Sequence, residues 1–375
     1  MFEEPLVVSG KISAQGAYQL QQVIEAYRRL GDASDTTSLE HFLSTRAADP
    51  WRASLWLNVG LAREHAGMYS DAIKAYEHAA SDAAHQATVD QRAVGQRAVG
   101  ELLLLHTKLG HRREAQALIA EYPHERQDGV LTSPLQVARQ GLYDMAQDPE
   151  HAFECGWLAL TTLWHTQGLH LPVQILPSIK GSAAGYSLKD LMRIARVAGH
   201  PITAVHAGLS ADIPVPAVMH LRSGHYATVV ARQGQKYHII DSAMGRDFWA
   251  SRRAVNAEAS GDYLVSSQTP LAINWRTLGS LEAARIHGAG VTSTPDLNGG
   301  TSPPPSCTPG AAGSSKGMPQ YCVTSMLVGL VLNDTPVSYK PPVGPQVDIH
   351  FTYNQQDPAQ PGTFSYSNLG PKWTH

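Results

Sequence analysis

Residues 292–317, TSTPDLNGGTSPPPSCTPGAAGSSKG, limit what this chain can fold into more than any other stretch. Built mainly from Gly, Pro, Ser and Thr, they cannot bury enough apolar surface to offset the entropy of ordering, so they read as a flexible linker. Whatever core forms before residue 292 is therefore separate from what forms after residue 317. Length agrees: 375 residues exceed what a single hydrophobic core usually serves. The chain divides into a helical region at 1–125, a mixed domain at 135–270, the linker at 292–317 and a short β region at 318–375. The fold class expected is α+β, with helices first and an antiparallel sheet after them.

The helical region contains one regular repeat. With Ala53 as the first position, Trp56, Val59, Gly60, Gly67, Ala72, Tyr76 and Ala79 alternate large residues that interlock with small ones where two helices touch. This spacing resembles a tetratricopeptide repeat. Weaker copies precede it, ending at Asp49-Pro50, and follow it, with Gly110, Ala115 and Ile119. The resemblance implies either a groove that binds a protein partner or a collar that packs on the next domain.

From Leu135 to Val265 the pattern changes. Ser187 is placed to cap a helix whose face carries Leu188, Leu191, Ile194, Ala195 and Ala198. Strands are expected at Ala217–Leu221, Tyr226–Arg232 and Tyr237–Ile240, separated by Ser223-Gly224 and Gln233-Gly234-Gln235. The uncharged run from Cys155 to Ile179 is long enough to span a bilayer, but its His, Gln, Pro and Gly residues mark a buried helix followed by an irregular segment, so no membrane span is expected.

Charge and cysteine content narrow the function. A formal net charge of −3 gives no reason to expect a nucleic-acid partner. Cys155, Cys307 and Cys322 are too few for a disulfide framework and form no CxxC pair, so neither a metal nor a cofactor is expected. The opening MFEEPLVVSGKIS lacks the basic start and apolar run of a signal peptide.

Cys155 then has to be explained singly. It precedes Gly156 and the apolar Trp157, Leu158, Leu160, Leu163 and Trp164, which places it in the first turn of a core helix, where the helix dipole favours a thiolate. Gly156 leaves space for a carbonyl to approach. A thiolate nucleophile needs an imidazole, and His225 opens the strand Tyr226–Arg232 with its ring directed into a cleft. Asp241 closes the next strand; in a hairpin the start of one strand lies beside the end of its partner, so this carboxylate can orient the ring. Taken singly, each of the three has a structural explanation as packing, strand end or turn.

The set Glu154-Cys155-Gly156, Gly185-Tyr186-Ser187-Leu188-Lys189-Asp190-Leu191, Pro216–His220, Gly224-His225-Tyr226 and Ile239–Gly245 resembles the papain-like, bacteriocin-processing cysteine peptidases. These cut leader peptides, typically after a double glycine. The resemblance implies Cys155 as nucleophile, His225 as base, Asp241 as orienting acid, and a peptide or protein substrate. It also implies an oxyanion-stabilising glutamine shortly before the cysteine; Gln147 is the nearest, with backbone N–H groups near Gly156 as the other donors. No GxxxxGK[ST] loop for an ATPase follows.

Met318–Tyr321, Asn333–Tyr339, Pro342–Pro345 and Phe364–Trp373 resemble the entry to a bacterial Rhs/YD-repeat protein, whose β-shell encloses cargo. That resemblance implies the front of a longer, exported polypeptide. The expected function is thiol-dependent peptide-bond hydrolysis, either leader removal or self-processing. The alternative is an inactive peptide-binding module on the same fold.

Overall fold

A computed structural model of the chain describes residues 2–46, 49–84, 89–122, 129–169, 182, 184–208, 211–291, 320–324, 329–339, 347–354 and 373–374. Residues 1–120 and 134–294 form one unit; 121–133 and 295–375 form another. The linker expected at 292–317 lies outside the described residues.

The first unit begins with helices α1 (Ala14–Arg29), α2 (Thr37–Thr45), α3 (Arg52–His65), α4 (Tyr69–Ala83), α5 (Val89–Lys108) and α6 (Arg112–Glu121). α3 and α4 are antiparallel neighbours joined at Gly67, which has φ +72°. Their contact is close because Gly60 has no side chain: a Cβ there would stand 2.4 Å from the Tyr76 ring. Ala72, Tyr76 and Ala79 are fully buried in the core that α4 forms with its neighbours.

Then come α7 (Gly129–Gln147), the single turn α8 (Pro149–Ala152), α9 (Cys155–Thr166), β1 (Tyr186–Ser187) and α10 (Leu188–Val197). Ser187 caps α10 in a capping box, accepting from Asp190 N–H while the Asp190 carboxylate accepts from Ser187 N–H. The remaining elements are β2 (Ile202–Ala207), β3 (Ala217–Leu221), β4 (His225–Gln233), β5 (Lys236–Asp241), β6 (Arg246–Ser251), α11 (Arg252–Glu258), β7 (Ala259–Ser266), β8 (Trp275–Thr277), α12 (Ser280–Ala283) and β9 (His287–Gly288).

Seven of these strands form an antiparallel sheet in the order β6-β5-β4-β3-β7-β2-β8. Successive side chains on a strand point to opposite faces, and here both faces are apolar. Met219, Val229, Ile239, Tyr263, Val205 and Ala207 pack with Leu57, Tyr69, Tyr76 and Leu102 of the N-terminal helices. Val218, Tyr226, Leu264 and Ala204 pack with Leu160, Leu163 and Trp164 of α9 and with Leu188 and Leu191 of α10. The sheet is thus the middle layer between two sets of helices, a mixed helix-and-sheet architecture in which α4 and α5 give their apolar faces to the sheet.

In the second unit, β10 (Gln320–Thr324), β11 (Gly329–Tyr339), β12 (Val347–Asn354) and β13 (Trp373–Thr374) form an antiparallel sheet in chain order. These strands fall within the β region expected at 318–375, and residues 325–328 lie outside the described set.

Candidate active site

His225 and Asp241 are brought together by hairpin register. Thr228 pairs with Ile240 across β4 and β5, and Val229 with Ile239. Continuing that register by one sets Asp241 opposite Ala227, two residues from His225 and on the same face, the diagonal relation at which long side chains meet. His225 Nε2 lies 2.9 Å from both Asp241 carboxylate oxygens. Both side chains are buried, and Met244 N–H donates to Asp241 Oδ1 at 3.1 Å.

Burial alone would push His225 toward its neutral form, but the Asp241 carboxylate, the Cys155 sulfur and the hydrogen bonds to them outweigh it and raise the imidazole to about 10. Burial would likewise raise Asp241; the His225 charge and the hydrogen bonds from His225, Tyr69 and Met244 N–H lower it below the usual carboxylate range. His225 Nδ1, on the other edge of the ring, is buried with no nitrogen or oxygen partner among the described residues.

Cys155 is the first residue of α9, and its side chain is fully buried at the helix N-terminus. α9 is fixed on the sheet by Thr228, whose hydroxyl donates to Ala159 O at 2.8 Å. The helix packs on the even-numbered face of β4 and His225 projects from the odd-numbered one; both reach Gly290 at the end of the strand, where a Cβ would stand 2.1 Å from His225 Nδ1 and 3.0 Å from Cys155 Cβ.

Two features correct the sequence reading. Gly156 does not leave room for a carbonyl: a Cβ on it would stand 3.1 Å from both Tyr186 and Tyr226 and 3.3 Å from Leu191, so its smallness serves packing. Nor does His225 face an open cleft, because Gly290 N–H donates to Cys155 Sγ at 3.1 Å and covers it. Gln147 is the exposed last residue of α7, with no hydrogen bond to Cys155, His225 or Asp241 among the described residues.

The N-terminal helices also enter the site, which spacing could not reveal. Tyr69, the first residue of α4, donates its hydroxyl to Asp241 Oδ2 at 2.7 Å across 172 residues of sequence. Burial and the nearby carboxylate hold this phenol far above its usual pKa, so it remains a donor. Beside it, Glu258 accepts from Ser70 N–H at 2.9 Å and from the Ser223 hydroxyl at 2.6 Å. Burial pushes Glu258 up to about 7 despite those bonds. Arg246 pairs with Glu64 of α3 at 2.7 Å, and Glu64 also accepts from the Tyr76 hydroxyl at 2.8 Å.

Comparison with known proteins gives one family. Residues 146–269 match the Peptidase C39 family. Its members are cysteine peptidases, and the match covers the span from the end of α7 to just past β7, with Cys155, His225 and Asp241 inside it. Among solved structures, one described as a double glycine motif protease from an AMS/PCAT transporter in complex with the leader peptide is 16% identical, covering 30% of this chain and 81% of its own, with a TM-score of 0.26. No curated protein matches. No helix among the described residues is long and apolar enough to cross a membrane.

Proposed function

We propose that this protein is a cysteine peptidase in which Cys155, His225 and Asp241 act as a catalytic triad. The observation that carries the reading is the buried His225–Asp241 pair standing at the N-terminus of the helix that begins with Cys155, within the stretch that matches a cysteine peptidase family. Asp241 fixes the ring through Nε2, which leaves Nδ1 for proton traffic at the sulfur and the leaving amine. A carbonyl attacked by Cys155 gives a thioester; the amine leaves with a proton from His225, and water then releases the acid. The developing oxyanion falls to the first-turn N–H groups of Cys155 and Gly156, which have no helical acceptor by position. Gln147, exposed at the end of α7, takes no part in that arrangement. The task is removal of a leader peptide or processing of an Rhs-type chain.

The test is peptide cleavage by the full chain, its own sequence and an added peptide mixture both read by mass spectrometry. Wild type should cut, and Cys155→Ala should not. The reading fails if wild type breaks no peptide bond, or if Cys155→Ala cuts equally well. A second reading, a module that holds peptide without cutting it, draws on the complete burial of Cys155 under Gly290. Such a module would retain peptides from the mixture and leave them whole.

A further inference from the structure

The cleft over Cys155 is occupied, and its occupant is this chain. Residues Ile286-His287-Gly288-Ala289-Gly290-Val291 run through it as an extended strap. Ile286 O accepts from Leu188 N–H at 3.0 Å and from the Tyr226 hydroxyl at 3.3 Å. His287 and Gly288 pair antiparallel with Ser187 and Tyr186, and His287 O accepts from His220 Nε2 at 2.9 Å. Ala289 N–H donates to Gly224 O, next to His225, at 2.9 Å. Gly290 N–H reaches Cys155 Sγ, and Val291 N–H reaches Lys108 O at 2.7 Å. An extended segment held by strand pairing along its backbone is one of the standard ways a protein grips a peptide.

The passage admits little more than backbone. A Cβ on Gly288 would stand 2.5 Å from the Tyr226 ring, and one on Gly290 would stand 2.1 Å from His225 Nδ1. The walls are bare as well: a Cβ on Gly185 would stand 2.0 Å from Gly288 O, and one on Gly110 1.9 Å from Ala289 O. The sequence supplies glycine at all four places, two in the strap and two in its walls. Only the Ala289 methyl is accommodated between the two strap glycines.

We infer that the strap is a substrate, and that the protein cuts its own chain between Ala289 and Gly290. This rests on the cysteine peptidase reading above. The bond follows from connectivity: the Gly290 nitrogen 3.1 Å from Sγ is bonded to the Ala289 carbonyl carbon. Because that N–H faces the sulfur, the carbonyl of the trans peptide points away, toward Gly110. Attack requires the peptide plane to turn, and the glycines on either side of Ala289 give the backbone that freedom. The Cys155 sulfur then bonds to the Ala289 carbonyl carbon, and the bond from that carbon to the Gly290 nitrogen breaks. The nitrogen takes a proton from His225 Nδ1 and departs as a new amino terminus. Water hydrolyses the thioester, leaving an Ala289 carboxylate and restoring the thiol.

The full chain, as wild type and as Cys155→Ala, is followed by intact mass and by sequencing of new amino termini. Wild type should give 1–289 and a partner that begins at Gly290, at a rate that does not change with protein concentration, and Cys155→Ala should stay whole. An intact wild type, a different new terminus, or a rate proportional to concentration overturns the inference. Gly290→Val, which cannot seat against His225, separates the two proposals. It should lose self-cleavage entirely while Cys155 becomes open to iodoacetamide. If wild type stays whole but Cys155 in Gly290→Val alkylates faster than Cys307 and Cys322, self-cleavage is wrong and the peptidase reading stands. If Cys155 is no faster, both fall.

Discussion

Tyr69→Phe removes one oxygen from a residue that belongs, by sequence, to a helical repeat far from the catalytic candidates. That oxygen donates at 2.7 Å to Asp241 Oδ2, and both side chains are fully buried. A hydrogen bond to a charged group contributes about 1.5–3 kcal/mol to stability, and deleting the donor also leaves a buried carboxylate lone pair unmet. Asp241 keeps His225 at 2.9 Å and Met244 N–H at 3.1 Å, so the loss should stay within that range rather than reach the cost of an orphaned charge. At about 2–4 °C per kcal/mol for a domain of this size, the melting temperature should fall by about 3–12 °C. Urea unfolding of the full chain, compared with Tyr237→Phe, is the assay. Tyr237 is buried too, but its hydroxyl has no partner among the described residues, so its removal should cost nothing or stabilise slightly. If Tyr69→Phe lies within about 0.5 kcal/mol of wild type, or no lower than Tyr237→Phe, the hydroxyl does not support Asp241 and the reasoning is wrong.

Three further outcomes are expected. His225 is raised from 6.5 to about 10, so its contribution is fully present below pH 6.5 and lost as pH rises through 10. Asp241 is lowered, so its contribution is present above its ordinary value and lost only in stronger acid. Wild type should therefore lose more stability than His225→Ala on the alkaline side, by a few kcal/mol at the order-of-magnitude level; parallel urea titrations would contradict this. Glu258 is also raised, to about 7, so stability falls as pH rises from about 4.5 through 7. Glu258→Gln, which mimics the neutral acid, should flatten that fall, and an unchanged slope would show that Glu258 does not titrate there. Gly185 has φ +72° and no room for a Cβ against Gly288 O, so Gly185→Ala should loosen the strap. Iodoacetamide should then modify Cys155 faster than in wild type, and equal rates would count against the packing argument.

Much of the site was legible because it depends on local pattern. The apolar run after Cys155 marks a buried helix, Ser187 with Asp190 marks the next helix start, and turns at Gly224 and Gly234 frame the strands that carry His225 and Asp241. Ala217–Leu221 forms β3 at its expected bounds, and β4 and β5 each extend by a residue at either end. What spacing could not show is long-range contact. Tyr69 looks like any residue opening a repeat helix until α4 packs on the sheet, and the Gly-Ala-Gly of the strap looks like the approach to the linker. Gly156 was legible as a small residue but not as one pressed between Tyr186 and Tyr226, because the tyrosines come from strands separated from it in sequence.

The pairing of β1 with β9 has a directional consequence. Strand pairing, Leu188, Tyr226, His220 and Gly224 all grip residues 286–289, whereas beyond Gly290 the described ties are all at Val291: its N–H on Lys108 O and its side chain packed with Met145, Ala152 and Phe153. After a break between Ala289 and Gly290, the downstream part would be held only through Val291, while the new carboxyl end would stay docked over the sulfur by every tie upstream. The new carboxyl end would then compete with any second chain for the groove, so an added peptide would be cut more slowly than the protein's own strap.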